Sequence, residues 1–197
     1  MTESGFLQLK STILELLHTG LDRRLTYHCP EHTEDVLQQA ECIAIAEDIA
    51  DPKLLLLIKI AALFHDTGFL HTYKGHEIES CRIMEGHMKD NNLTASDIDL
   101  IKGMIMATKV PQTPHNLPEM ILCDADLDYL GRDDFKAISD TLKDEFMVYG
   151  VIKNEHDWDE IQVSFFESHR YFTATSLQNR YPLKMKHLES LKQKALK

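Results

Sequence analysis

The stretch Lys53-Leu-Leu-Leu-Leu-Ile-Lys-Ile-Ala-Ala-Leu-Phe-His-Asp-Thr-Gly68 decides the fold. Its apolar residues recur at helical spacing, which predicts a buried helix that begins at Pro52. The apolar face continues onto His65 and Asp66. Because a buried carboxylate is costly unless a cation or hydrogen-bond donors compensate it, a divalent metal would satisfy both side chains at once. In isolation such a pair is more often a helix-capping histidine beside a solvated aspartate. The rest of the chain therefore decides between this interpretation and a metal site.

Size and charge exclude several classes of protein. The 197 residues suffice for one domain with a proper core. A net charge of −11 argues against a binder of nucleic-acid polymers, but it leaves small nucleotides open because a metal can supply positive charge locally. The four scattered cysteines and the lack of a secretory signal predict reduced thiols in a cytoplasmic protein. The longest apolar run, 54–64, is too short to span a bilayer, so no membrane partner is expected.

Helical periodicity recurs along the chain, and no segment shows the alternation that is typical of a strand. Thr94-Ala-Ser-Asp97 resembles a capping box with Asp in place of Glu. The prediction is therefore all-α, with helices at about 6–17, from 29–30 onward, 52–64, 76–89, from 94–97 to 108, 119–130, 133–149, 157–178 and from 182 to the C-terminus.

Metal-competent side chains recur on the apolar faces of these helices. His32 follows the apolar spacing of its helix, and Asp126 lies on the apolar face of helix 119–130, whereas Asp124 and Asp128 lie away from that face. Four metal-competent residues thus extend the apolar faces of their helices: His32, His65, Asp66 and Asp126. A mixed set of nitrogen and oxygen ligands suits Mn, Fe, Co, Ni, Zn or Mg. A structural zinc site would more often use cysteine, so the set predicts an open, catalytic site.

Three motifs resemble those of the HD-domain superfamily of metal-dependent phosphohydrolases. They are Tyr27-His-Cys-Pro-Glu-His32-Thr, Phe64-His-Asp-Thr-Gly68 and Leu122-Cys-Asp-Ala-Asp126-Leu. The resemblance implies a helical bundle of the HD type in which His32, His65, Asp66 and Asp126 bind one divalent metal. It covers about residues 27–131, so residues 132–197 are expected to form a helical extension within the same single domain, 1–197.

Many members of this superfamily have two further histidines that bind a second metal or the substrate phosphate. His76 fits the first of these positions. Near the second position this chain has Thr108, and His115 in the following proline-rich loop is the candidate substitute. One metal is therefore expected, with His76 and His115 contacting substrate or a weakly bound second ion.

The resemblance implies hydrolysis of a small phosphorylated metabolite, with a nucleotide as the expected class. Asp66 would orient or deprotonate the attacking water, and His76 or His115 would protonate the leaving oxygen or stabilise the developing charge. Lys74 and Arg132 flank the site in sequence and are candidates to grip a phosphate, although each is more often an ordinary surface cation.

Several alternatives stay open at this point. Some small HD-fold proteins oxidise a substrate at a di-iron centre, and a non-catalytic nucleotide-binding module would keep the same pocket. The aromatic-rich stretch 158–172 is expected to pack on the metal domain or, alternatively, to form the face of a homodimer. The other histidines are expected to be solvated or capping residues (His18, His28, His87, His156 and His187) or are left undecided (His71 and His169).

Overall fold

The computed structural model describes residues 2–89 and 91–195, and every regular element within these ranges is helical. The all-α prediction is confirmed. Two 3₁₀ turns, Thr67–Leu70 and Asp128–Gly131, join α-helices. The α-helices in chain order are α1 (Glu3–Gly20), α2 (Pro30–Ala46), α3 (Pro52–Phe64), α4 (His76–Met88), α5 (Ala95–Ala107), α6 (Leu117–Asp126), α7 (Phe135–Val148), α8 (Glu155–Ser168), α9 (Ala174–Asn179) and α10 (Tyr181–Ala195). None of the described helices is long and apolar enough to cross a membrane.

The helices begin where local signals in the sequence predict. Pro30 and Pro52 begin α2 and α3, where a missing backbone N–H costs nothing. The Asp51 carboxylate caps α3 by accepting a backbone N–H of its first turn. Thr94 and Asp97 form a reciprocal capping box at the start of α5. These starts need no tertiary contact, and for that reason they can be read from the sequence.

Helix α3 lies at the centre of the bundle and packs against α2, α5, α4 and α6. Leu57, Ile58 and every residue from 60 to 64 are buried. Burying a large apolar side chain contributes about 1.5–3 kcal/mol to folding, so α3 accounts for much of the stability of the core. The C-terminal helices add a second core on the side of α6, formed by Tyr27, Leu127, Tyr129, Leu130, Phe135, Phe166 and Leu188.

The prediction of one continuous helix over residues 157–178 is wrong, because the segment forms two helices, α8 and α9. Residues 169–173 lie between these helices, and the Thr173 side chain caps α9. The break is held by Asp124 in α6, whose carboxylate accepts the backbone N–H groups of Phe172 (2.9 Å) and Thr173 (2.8 Å) and the Thr173 hydroxyl (2.7 Å). A contact with a distant helix therefore decides where α8 ends.

Asp124 and Asp128 are also not the outward-facing residues that the helical spacing predicts. Both side chains are buried more completely than that of Asp126. Asp128 accepts a hydrogen bond from Arg180 Nε (2.8 Å). The helical wheel failed here because segments from the C-terminal extension cover the face of α6 that it assigned to solvent.

Candidate metal centre

Three helices deliver the four residues of the candidate metal centre to one place. His32 lies in the first turn of α2, His65 and Asp66 follow the last turn of α3, and Asp126 ends α6. The N–H at Nδ1 of His65 donates to the carbonyl of Ala62 at 2.8 Å, which fixes the ring and turns Nε2 towards the other residues of the centre. Each of the four side chains is thus placed by a helix end.

The ligand atoms of these residues converge. Nε2 of His65 lies 3.2 Å from Oδ2 of Asp66, and Nε2 of His32 lies 3.2 Å from Oδ1 of Asp126. The crossed pairs, His32 with Asp66 and His65 with Asp126, are 3.5 Å and 3.6 Å apart. The ligand atoms of His32, His65 and Asp66 all lie within 4.8 Å of one another. Helices remote in sequence therefore bring the two imidazoles and two carboxylates to a common point.

Unpaired polar atoms support a cation at this point. Nε2 of His65 and Oδ2 of Asp66 are buried, and neither makes a hydrogen bond of good geometry with any described residue. Buried polar atoms normally have partners, and each one left unsatisfied is costly. One divalent ion bound by nitrogen and oxygen ligands would satisfy both atoms, so the residues present suit such an ion.

The charges of the cluster keep its carboxylates ionised. Burial alone would lower the pKa of His65, but the Asp66 and Asp126 carboxylates outweigh it and raise that pKa well above its ordinary value. Burial would raise the pKa of Asp66, but His65 and His76 outweigh it and hold that pKa well below its ordinary value. Burial likewise opposes ionisation of Asp126, yet His32 and His65 lower its pKa to about 2.

His76 extends the centre on one side. It is the first residue of α4, and its Nε2 lies 3.4 Å from Oδ1 of Asp66, whereas the oxygen that lies 3.2 Å from His65 is Oδ2. Its ring stacks on Phe69 at 4.0 Å between centroids. Gly68 permits this approach, because a Cβ there would lie only 2.0 Å from the His76 carbonyl oxygen.

A cavity of about 440 Å³ opens beside the centre. Asp66, Asp126 and His76 line it, and so does Thr108, which lies near the position where the resemblance predicts a further histidine. Because threonine has no imidazole, this residue cannot replace the expected histidine. Its hydroxyl donates to the carbonyl of Ile105 at 2.8 Å.

The structure does not bring the other three predicted contact residues to the cavity wall. His115 is exposed on the loop before α6, where its backbone N–H donates to Glu119. Lys74 is exposed, and only its neighbour Gly75 lines the cavity. The guanidinium of Arg132 is already paired with Asp35 and Asp134, at 2.8 Å to each. These ion pairs hold Arg132 in the packing of the extension.

His28 was expected to be solvated or capping, and that expectation is wrong. Its side chain is only 17% exposed, lines the cavity and stacks on Phe69, at 4.1 Å between centroids. Nδ1 of His28 lies 2.5 Å from Oε1 of Glu145, a residue of α7. The ring nitrogen that Glu145 leaves free is Nε2.

Glu145 is the second residue that sequence reasoning missed. It is fully buried and accepts the backbone N–H groups of Tyr27 (3.0 Å) and His28 (3.1 Å) as well as the hydroxyl of Tyr73 (3.1 Å). Burial would raise its pKa, but the hydrogen bond from His28 and these donors outweigh it, and the pKa of Glu145 is lowered. No local motif marks Glu145, because its partners all lie far away in sequence.

Comparisons with known proteins agree with this architecture. The HD domain family model matches residues 31–128, a range that contains the four metal-competent residues. A crystal structure of a predicted HD superfamily hydrolase from an uncultured Thermotogales bacterium is similar in fold, with a TM-score of 0.62 at 20% identity over 98% of this chain and 99% of that chain. No curated protein sequence matches the chain significantly. The convergent histidines and aspartates, the all-helical bundle and the matching family model together make this chain a member of the HD-domain superfamily.

Proposed function

We propose that the protein is a metal-dependent phosphohydrolase that acts on a small phosphorylated metabolite, with nucleotides as the class that the motifs imply. The observation that carries the proposal is the convergence of His32, His65, Asp66 and Asp126 beside a cavity large enough for a metabolite. The similarity in fold to a predicted HD superfamily hydrolase supports hydrolysis as the reaction class.

The proposed chemistry divides between the ion and the side chains. A divalent ion held by His32, His65, Asp66 and Asp126 would supply a Lewis acid for a phosphoryl oxygen and would lower the pKa of water towards neutrality. Asp66 is suited to orient and deprotonate the attacking water, because its two oxygens face different partners: Oδ2 faces the imidazoles of His65 and His32, and Oδ1 faces His76. His76 is positioned to stabilise the charge that develops on the phosphoryl group.

The leaving oxygen also needs a proton, and His28 is the proposed donor. It lines the same cavity as Asp66, and Glu145 fixes its ring through Nδ1. A positioned imidazole that donates from its other nitrogen contributes typically 10²–10⁴-fold to such a reaction. His28 thus takes the role for which the exposed His115 was considered.

The test is phosphate release by the purified protein after chelation and reloading with Mn, Co, Zn or Mg. Substrates are 4-nitrophenyl phosphate, bis(4-nitrophenyl) phosphate and a set of nucleoside mono-, cyclic mono- and triphosphates. We expect metal-dependent release that falls at least 10²-fold in Asp66→Asn. The control Asp99→Asn changes an exposed aspartate of α5 and should keep full activity. Equal activity of Asp66→Asn and wild type would reject the site.

Two other results would replace the proposal. Iron in the freshly purified protein, with a mixed-valent paramagnetic signal and dioxygen consumption but no phosphate release, would identify a di-iron oxygenase. Nucleotide binding without turnover under any of the metals would identify a non-catalytic binding module.

A further inference from the structure

We propose that the substrate is a phosphoester of an uncharged, mainly apolar organic group, and that the wall formed by α7 and α8 receives that group. The inference rests on the proposed function, and it narrows the substrate class of the same site. It selects against nucleoside di- and triphosphates.

The cavity wall opposite the metal centre is mainly hydrophobic. The metal centre lies at the ends of α3 and α6, whereas the C-terminal extension contributes the opposite wall. That wall is formed largely by hydrophobic side chains, which include Leu142, Phe146, Trp158, Ile161, Phe165 and Phe166. A surface of this kind binds apolar groups because it removes them from water, and its aromatic rings offer stacking contacts.

The described residues that line the cavity offer more carboxylates than lysines or arginines. Lys109 is the only lysine or arginine among the described residues that line the cavity, and it is exposed. Three carboxylates line it, those of Asp66, Glu77 and Asp126. One phosphate beside a divalent ion is compensated, but further phosphates would have only the exposed Lys109 as a lysine or arginine partner among the described lining residues, and would otherwise face carboxylates or hydrophobic side chains. Burying such unpaired charge is strongly unfavourable.

The cavity is large enough for more than a phosphate group. A volume of about 440 Å³ lies within the usual range for small-molecule sites. It is large enough for a phosphate together with a ring system, so the hydrophobic wall lies within reach of the organic group of a phosphoester that is held at the metal centre.

The experiment compares phenyl phosphate, 2-naphthyl phosphate and ATP in the metal-loaded full-length protein. The two aryl esters have leaving groups of similar acidity, so their ratio reports contact with the organic group. We expect kcat/KM to be about tenfold or more higher for the naphthyl ester. We also expect ATP to be at least 10²-fold poorer than the naphthyl ester. A naphthyl-to-phenyl ratio near one, or ATP turnover equal to that of the aryl esters, would overturn the inference.

A matched pair of variants locates the contact. Ile161 lines the cavity and is 37% exposed, so Ile161→Asn alters the wall without opening the core. The control Ile45→Asn changes an isoleucine of α2 that is 61% exposed and lies outside the wall. Ile161→Asn should lose most of the naphthyl preference, because kcat/KM should fall more for 2-naphthyl phosphate than for phenyl phosphate, whereas Ile45→Asn should keep the wild-type kcat/KM for both esters. An unchanged preference in Ile161→Asn would contradict the assigned wall.

Binding separates a failure of this inference from a failure of the proposed function. Calorimetry with 2-naphthylphosphonate and phenylphosphonate, which cannot be hydrolysed as esters, measures the preference without turnover. Tighter binding of the naphthyl compound in a protein that hydrolyses no ester would support the apolar wall and reject phosphohydrolysis. Equal binding of the two phosphonates would reject the apolar wall whatever the activity.

Discussion

Nδ1 of His28 lies 2.5 Å from Oε1 of Glu145, which is 117 residues further along the chain. Glu145 is fully buried on α7 and also accepts two backbone N–H groups, so the orientation of His28 is determined by the C-terminal extension. The extension therefore contributes to the candidate site in two ways, by fixing a cavity histidine and by forming the apolar wall.

Replacing His28 should slow the reaction most for substrates whose leaving group needs a proton. In His28→Ala, kcat for an alkyl phosphate should fall by about 10²-fold or more, because an alkoxide must be protonated as it leaves. Cleavage of 4-nitrophenyl phosphate should change much less, because nitrophenolate leaves without a proton. Steady-state kinetics on both esters measure the ratio.

His156→Ala is the control for this prediction, because His156 is exposed on α8 and should leave both rates unchanged. Equal losses on the alkyl and nitrophenyl esters in His28→Ala would show that His28 positions the substrate instead of donating a proton.

Metal binding should stabilise the fold. A ligand that binds only the folded state at 100 times its Kd adds about 2.7 kcal/mol, which corresponds to a rise in Tm of about 5–10 °C for a chain of this size. Thermal unfolding with a chelator and with excess Mn or Co measures this shift. Asp126→Asn should lose most of it, because Oδ1 of Asp126 faces Nε2 of both histidines. An unchanged shift in that variant, alongside the same shift in Asp99→Asn, would exclude Asp126 as a ligand.

The sequence predicts those parts of the molecule that local signals determine. Pro30 and Pro52 begin their helices, and the Thr94 and Asp97 capping box forms, because each signal acts within one turn. The convergence at the centre was predictable because His65 and Asp66 prolong the apolar face of a buried helix, and because the motifs supplied the pairing with the other two residues.

The rest depends on contacts between segments distant in sequence. Glu145 lies on α7 without any neighbouring motif, and its importance appears only when Tyr27, His28 and Tyr73 are seen to donate to it. The end of α8 and the burial of Asp124 have the same origin, since the segment 169–173 folds back onto α6. A helical wheel assigns faces from one helix alone, so it cannot register a segment that arrives later in the chain.

Asp124→Asn should destabilise the fold without weakening metal binding. The carboxylate of Asp124 accepts the N–H groups of Phe172 and Thr173 and the Thr173 hydroxyl, and an amide nitrogen in place of one oxygen would face these donors. The expected loss is about 2–4 kcal/mol of unfolding free energy in denaturant titration. The Tm shift on adding metal should stay at its wild-type size. A loss of that shift would mean that Asp124 acts on the metal centre as well.

Lys184 should make stability depend on pH in the alkaline range. It is 1% exposed, and its Nζ donates to the carbonyl of His169 at 2.7 Å near the rings of Phe166 and Tyr171. No described carboxylate forms a salt bridge with it, and burial lowers its pKa to about 8 from 10.5. Between these values the unfolded chain binds more protons than the folded one, so this residue makes the unfolding free energy rise with pH.

The variant Lys184→Met isolates this effect, because the buried tyrosines that also titrate at high pH are common to both proteins. We expect the unfolding free energy of the variant minus that of wild type to fall by about 1–3 kcal/mol from pH 7 to pH 10. Denaturant titrations at a series of pH values measure this difference. Lys186→Met, at an exposed position of α10, should give a difference that stays constant with pH. A constant difference for Lys184→Met as well would mean that the buried ammonium keeps an ordinary pKa, and that water or a neighbouring dipole compensates its charge.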